Sequence, residues 1–476
     1  MRPRYFENIV RGDLRQLAPR KKLLKSREDS PAFLWNPAHS EARGFYFSRP
    51  PGPVSLTSVT TDVERQKEDC MGTAVDQLTD VQYSLSNIQN QSFATLALHA
   101  GAVADPTTGA LLTPIYQTTT YRQEAVGKDK GFTYSRSANP TVSALERRLA
   151  ALEGADYCTC YATGLAATTV LCLALLRQGD HVVASQAVYG GTVRLFNQVL
   201  AGFGVTADFV DTANEAELRN AVTARPTRFV FVETPANPTL KLTDIELTAR
   251  IAHEADALLV VDNTLLTPAL QRPFELQADV VLHSTTKFIE GHNATVGGAL
   301  ITSDPELQER FSFTRNAIGA IQSPFPAWLT LQGVKTVGLR MAQHSENALR
   351  IARFLETHPR VTRLLYPGLE SFPQFELARK QQTSGGALIA FEVEGGVEAG
   401  IRLMNSVQLC ALAENLGSTE TLITHPASMT HADVPAEQRQ AAGITDGLVR
   451  LSVGLEDPVD VIRDLSQGLA QTKGAQ

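Results

Sequence analysis

From Tyr157 onward, short apolar runs alternate with longer helical stretches along the chain. Tyr157–Tyr161, His181–Ser185, Val205–Val210, Arg228–Glu233, Leu258–Asp262 and Val280–His283 have the length of strands. Phe229-Val230-Phe231-Val232 and Leu258-Leu259-Val260-Val261 are apolar at every position rather than at every second one. Continuous apolarity marks strands covered on both faces, as a parallel sheet requires. Between the strands, Gly164–Leu176, Thr192–Phe203, Glu215–Val222 and Asp244–Glu254 read as helices. This alternation predicts a doubly wound α/β unit with a mainly parallel sheet, whose ligands collect at the C-terminal ends of the strands.

The flanks have a different texture. Thr95–Gly101 leads into a Pro- and Thr-rich extended arm, Leu112–Tyr121; Asn139-Pro140 then opens a helix, Val142–Glu153, that Gly154 stops. Past about residue 330 the pattern becomes a long helix (Val337–Thr357), a strand (Gly386–Val393), a helix (Gly396–Ser406), a strand (Leu448–Leu455) and a last helix from Pro458 to about Leu469. The expected organisation is an extension over 1–91, an arm over 92–145, an α/β domain over 146–330 and a smaller α+β domain over 331–476. The extension has no sustained apolar periodicity and opens basic (Arg2, Arg4, Arg11, Arg15, Arg20, Lys21, Lys22). It reads as disordered and not as a secretory signal, and Met71 offers an alternative start.

Composition narrows the classes. With 476 residues, 43% hydrophobic and 20% charged, the chain has the profile of a soluble globular protein. A formal net charge of −7 argues against nucleic acid as the main partner. No apolar run is long enough for a transmembrane helix. The five cysteines have no disulfide spacing, and Cys158 and Cys160 have no His or Cys neighbours with which to bind metal. The expected setting is reducing and cytoplasmic, with no metal.

Candidate chemistry gathers at predicted strand ends. Ala162-Thr163-Gly164-Leu165 opens a helix with small residues, where free N–H groups and the helix dipole favour an anion such as phosphate. Asp262 ends one strand and needs a cationic partner there. Glu233-Thr234-Pro235-Ala236-Asn237-Pro238 forms an irregular loop that can turn Asn237 into the site. One strand beyond Asp262, Ser284-Thr285-Thr286-Lys287 places a lysine beside two hydroxyls. A buried lysine suits Schiff-base chemistry, because burial lowers its pKa. Lysine, aspartate, hydroxyls and a free helix N-terminus are together what pyridoxal 5'-phosphate (PLP) requires: a covalent anchor, a partner for the protonated ring nitrogen, and a phosphate cradle. Tyr189, after another strand, is placed to stack on the ring.

From about Ser92 to about Leu469 the sequence resembles the transsulfuration (Cys/Met metabolism) family of fold-type I PLP enzymes. The resemblance rests on motifs in matching order: Tyr134-Ser135-Arg136 with Asn139-Pro140-Thr141, Val188-Tyr189-Gly190-Gly191-Thr192, Val261-Asp262-Asn263-Thr264, Ser284-Thr285-Thr286-Lys287, His425-Pro426-Ala427-Ser428-Met429-Thr430-His431 and Arg450-Leu451-Ser452-Val453-Gly454-Leu455-Glu456. It implies that Lys287 anchors the cofactor and shuttles protons. It further implies that Asp262 pairs with the ring nitrogen, that Tyr189 stacks, and that Gly164, Leu165, Ser284 and Thr286 bind phosphate. Arg450 would take the substrate α-carboxylate. Tyr134 and Arg136 would reach the phosphate of a neighbouring subunit, in a homotetramer built as a dimer of dimers.

The same resemblance bears on the reaction. Gly191 stands where methionine γ-lyases carry a cysteine, Arg194 matches an arginine used for the distal carboxylate of cystathionine, and Glu414 matches a glutamate typical of cystathionine γ-synthases and γ-lyases. Asn415 replaces the usual serine, as in the sulfhydrylase branch; Thr133, Ser137 and Gln332 also depart from the common pattern. The expectation is γ-replacement that forms cystathionine from an O-acylhomoserine and cysteine. Cystathionine γ-lyase, or sulfhydrylase chemistry forming homocysteine from sulfide, stands as the alternative.

Overall fold

The structure is a computed structural model that describes residues 91–430, 432 and 436–472. The extension and the alternative start at Met71 lie outside the described residues.

Seven strands form the larger sheet: β1 (Tyr157–Tyr161), β2 (His181–Ser185), β3 (Thr206–Val210), β4 (Phe229–Glu233), β5 (Leu258–Asp262), β6 (Val280–His283) and β7 (Gly298–Thr302). Their order is β1-β7-β6-β5-β4-β2-β3. The neighbours from β3 to β6 pair in parallel, while β7 runs antiparallel to both β6 and β1. The apolar runs are explained by what lies on each side. Val183, Val230, Val232, Leu259, Val261 and Val281 enter a core with the Pro140–Glu153 and Ile245–Glu254 helices. Val182, Ala184, Phe229, Phe231, Val260 and Val280 enter a second core with the Gly164–Leu175 helix. Successive residues of a strand point to opposite faces, so a doubly covered strand is apolar throughout.

The expected helix over Thr192–Phe203 is not one regular helix. A turn of α-helix (Gly190–Arg194) passes into a π turn (Leu195–Val199) and then a 3-10 turn (Leu200–Phe203). Glycines at both ends weaken a regular helix here. The wide turn brings Leu195 and Leu200 toward the same side, both buried, while Phe196 packs among Phe209, Phe229 and Phe231 at ring-centroid distances of 6.3–6.5 Å.

The second sheet contains β8 (Val361–Leu365), β9 (Leu388–Val393), β10 (Ala411–Leu412), β11 (Leu422–Thr424) and β12 (Leu448–Ser452), in the order β10-β11-β12-β9-β8. It packs against the Val337–Glu356, Gly396–Ser406 and Pro458–Ala470 helices. β12 is central, with Arg450 opposite Ala390 on one side and Thr424 on the other. The long Val337–Glu356 helix also reaches the larger sheet's loops. Its buried Arg340 donates to the carbonyls of Phe288 (2.7 Å), Ile289 (3.1 Å) and Gly333 (2.8 Å). Among the described residues no helix is long and apolar enough to cross a membrane.

Candidate active site

All the strand-end features lie along one edge of the larger sheet, because β1, β2, β4, β5 and β6 run in the same direction. Lys287 sits in a turn after β6. The turn is closed by its own N–H to the Ser284 carbonyl (3.2 Å) and by the Gly291 N–H to the Lys287 carbonyl (2.8 Å). Arg340 clamps the next two carbonyls from behind, so the lysine backbone is held from both sides. Burial, reinforced by the positive charge of Arg450, lowers the Lys287 pKa to about 8.

The loop before β11 closes over this turn. Gly417 has φ +84°, and a Cβ there would lie 2.6 Å from the Phe288 nitrogen and 2.9 Å from the Lys287 carbonyl carbon. Only glycine permits that approach. It brings the Asn415 Oδ1 to the Lys287 Nζ, which donates to it at 2.5 Å. Arg450 lies alongside, buried on β12, with Nη2 donating to the Asn415 carbonyl (2.7 Å) and Nη1 to the Asn237 Oδ1 (3.0 Å). Its Nε has no partner among the described residues. Burial lowers the guanidinium pKa to about 10, against the pull of the nearby Glu414.

Asp262 and Glu233 are register partners at the ends of β5 and β4, so their side chains share a face. The Asp262 Oδ1 accepts from the Thr264 N–H at 3.0 Å. Burial raises its pKa, while Thr264 and His283 pull the other way. Glu233 accepts the Tyr189 N–H at Oε2 (2.7 Å) and the Asn237 N–H at Oε1 (3.0 Å). Its pKa is raised to about 8, by burial first and then by the Asp262 charge. One carboxylate thus ties the Tyr189 loop to the Asn237 loop. Along the chain Glu233 stands out only as the first residue of a proline-bounded loop. An acidic residue in register with Asp262 was the available signal.

The helix from Gly164 fits an anion. Thr163 caps it by accepting the Ala166 N–H (2.9 Å), leaving the earlier N–H groups of the first turn without intrahelical acceptors. A Cβ on Gly164 would lie 2.8 Å from the Ser284 Cβ, so this helix start and the Ser284 turn adjoin. Ser284 receives its own backbone order from the Thr264 hydroxyl, which accepts its N–H at 2.8 Å. The Thr286 hydroxyl is already engaged with Gly297, donating to its carbonyl (3.2 Å) and accepting its N–H (3.0 Å). Leu165 and Tyr189 are exposed, and the Tyr189 ring lies so close to Gly191 that a Cβ there would sit 2.3 Å from its Cε1.

The structure does not bring every expected residue to this cluster. Tyr134 and Arg136 are exposed on the arm, with the guanidinium 5.6 Å from the Tyr134 ring centre. Arg194 and Glu414 are exposed, and of the two only Glu414 contributes to the electrostatics of Arg450.

A lysine with a lowered pKa, a carboxylate with one backbone donor at a neighbouring strand end, and an open helix start beside a serine fit PLP. The sequence signature of the Cys/Met metabolism PLP-dependent enzymes covers residues 94–470. The chain belongs to this family. PLP is accordingly its cofactor. Family members of similar sequence differ in activity. A cystathionine β-lyase of Coxiella burnetii is 45% identical over 386 residues, 81% of this chain and 99% of that protein. A cystathionine γ-synthase of Mycobacterium bovis is 46% identical over 377 residues, 79% of this chain and 96% of that protein. The crystal structure of a cystathionine γ-lyase from Lactobacillus plantarum complexed with L-serine superposes with a TM-score of 0.78 at 40% identity, covering 80% of this chain and 99% of that one. The chain is thus a PLP-dependent transsulfuration-family enzyme of fold type I.

Proposed function

We propose that this enzyme forms cystathionine by γ-replacement, joining an O-acylhomoserine to cysteine. The observation that carries this reading is that Glu414 is exposed and within electrostatic reach of Arg450, which would hold the substrate α-carboxylate. A carboxylate there attracts the ammonium group of an incoming cysteine, whereas sulfide has no use for it. The nearly equal similarity to synthases and lyases leaves γ-lyase as the second reading; Ser137, which resembles the lyases, favours it.

When bound, PLP supplies an electron sink for the pair left when the substrate Cα–H bond breaks. Asp262 would face its ring nitrogen, Tyr189 its ring, and Gly164, Leu165, Ser284 and Thr286 its phosphate. To donate to the phosphate, the Thr286 hydroxyl would give up its bond to the Gly297 carbonyl. Arg450 receives the substrate α-carboxylate as a two-pronged donor, with Asn237 keeping the guanidinium in its plane. The Lys287 amine takes the Cα proton, would hand it on to the bound cofactor, and, neutral again, takes a Cβ proton. The Cγ–O bond breaks and the acyl group leaves as a carboxylate. The cysteine thiolate forms the new Cγ–S bond, and Lys287 returns the protons. Tyr134 and Arg136, exposed on the arm, would serve the phosphate site of a partner subunit in a tetramer of two dimers. Arg194 would meet the distal carboxylate of cystathionine.

The test is a product assay with O-succinyl- or O-acetylhomoserine plus cysteine, the same esters plus sulfide, and cystathionine alone. Cystathionine from the first mixture is the expected result. Cysteine and 2-oxobutanoate from the third would instead establish the lyase. Homocysteine from sulfide, with no product in the other two mixtures, would reject both.

A further inference from the structure

Four side chains form a continuous line that ends at Lys287. The Glu420 Oε2 accepts from the Asn293 Nδ2 at 3.2 Å; the Asn293 Oδ1 accepts from the Asn415 Nδ2 at 2.7 Å; the Asn415 Oδ1 accepts from the Lys287 Nζ. Each end dictates the orientation of the amides between them. An ionised carboxylate only accepts, so Asn293 turns its NH2 to Glu420 and its oxygen to Asn415. An ammonium only donates, so Asn415 turns its oxygen to Lys287 and its NH2 to Asn293. The two requirements agree. Asn293 has φ +56°, a left-handed conformation that asparagine tolerates better than most residues, and this aims its side chain across to Asn415. The Asn415 backbone is held separately by Arg450.

From this geometry we infer that Asn293 and Asn415 are positioning residues: a two-amide relay, anchored on Glu420, that keeps an acceptor oxygen against the Lys287 amine and orients it for proton transfer. The inference rests on Lys287 being the proton carrier of the reaction above. The charged and titratable groups on the elements around Lys287 are Arg450, Glu414, Glu420, Arg340, His344, Asp262, Glu233 and Tyr189 and, on its own segment, His283, Glu290 and His292. Burial and Arg450 disfavour the ammonium. An amide oxygen fixed toward the amine opposes them, because it bonds the charged form more strongly than the neutral one. A serine hydroxyl could either donate or accept, and needs no second amide to orient it.

Asn293→Gly removes the relay's middle member without straining a positive φ. The Asn415 amide is then free to turn its NH2 toward the neutral amine. The first measurement is the pH dependence of PLP uptake by the cofactor-free full-length chain. Uptake requires unprotonated Lys287, since its amine adds to the aldehyde with loss of water. It is independent of whether the enzyme is a synthase or a lyase, so failure of the relay and failure of the proposed reaction are separable. The second is the pH dependence of substrate Cα–H exchange with D2O in the holoenzyme. Relative to the unmodified chain, Asn293→Gly should move both midpoints down by about one pH unit, the size expected for loss of one hydrogen bond to a charged group. In an Asn415→Ser background, Asn293→Gly should cause no further shift. Unchanged midpoints in Asn293→Gly overturn the proposal. An equal shift in both backgrounds also overturns it, because Asn293 would then act by a route other than Asn415.

Discussion

The two sides of the active site are built differently. The proposed cofactor side, with Asp262, Glu233 and Lys287, hangs from adjacent ends of β5, β4 and β6, where backbone ladders set the spacing. The proposed substrate side, with Arg450, Asn415 and Asn237, is held by side-chain hydrogen bonds between segments far apart in sequence. Sheet register is a cooperative property of many bonds, and losing one side chain leaves it intact. A chain of single hydrogen bonds transmits each loss to the next member. Mutations on the first side should therefore remove chemistry with little rearrangement. Those on the second should alter affinity, selectivity and pH response in graded amounts.

The largest effect is expected at Lys287. Lys287→Ala should lower turnover by about three orders of magnitude or more, with a circular dichroism spectrum that matches the unmodified protein. A companion variant, Lys287→Met, isolates the cost of the buried amine. With a folded pKa of about 8, below the ordinary value of 10.5, the native state binds fewer protons than the unfolded state between those limits. In the cofactor-free protein this destabilisation is fully present below pH 8 and fades as pH rises toward 10.5. Lys287→Met should accordingly have the higher melting temperature at pH 7, and the advantage should shrink above pH 8. A constant advantage across that range would contradict the lowered pKa.

Next is Arg450→Lys, which keeps the charge and removes the fork. A fall of about a hundredfold in kcat/KM for the homoserine ester is expected, mainly through KM. An intact KM would remove Arg450 from the carboxylate site. Glu233→Gln lies on the boundary between the two sides. The Tyr189 and Asn237 N–H groups go to different oxygens of Glu233, and glutamine carries an NH2 in place of one of them. One buried donor is then left facing an NH2, and kcat/KM should drop by about tenfold with a lower melting temperature. The smallest effect is expected at the exposed Glu414. Glu414→Ala should raise KM for cysteine by about two- to fivefold and leave that for the homoserine ester unchanged. Equal changes in both would detach Glu414 from cysteine selection.

The cofactor side was legible in the chain before any coordinates. Apolar runs located the strands, and parallel strands place their C-terminal ends at one edge, so Asp262 and Lys287 had to be neighbours there. The substrate side was legible only as separate residues. Arg450 and Asn415 could be named from motifs, but not that Arg450 donates to the Asn415 carbonyl and to Asn237, nor that Asn293 reaches Asn415. The helices Pro305–Ile318 and Pro324–Val334, which the sequence pattern did not single out, carry starts that were available to reading. Asp304 caps the first by accepting the Glu306 and Leu307 N–H groups, and Pro305 follows at the first helical position. The break in Thr192–Phe203 could not have been read locally, since burial of Phe196 against three other phenylalanines competes there with helix regularity.

By itself the sequence determined the α/β architecture, the PLP cofactor and the family, and it singled out Lys287 as the proposed anchor, because each follows from periodicity or from short contiguous motifs. The tertiary structure alone decided that Glu233 joins the Tyr189 and Asn237 loops, that Arg340 clamps the lysine turn, and that Glu420, Asn293 and Asn415 line up on Lys287. Those are contacts between side chains distant along the chain, and their existence depends on how loops pack over the sheet's edge, which no local pattern of residues encodes.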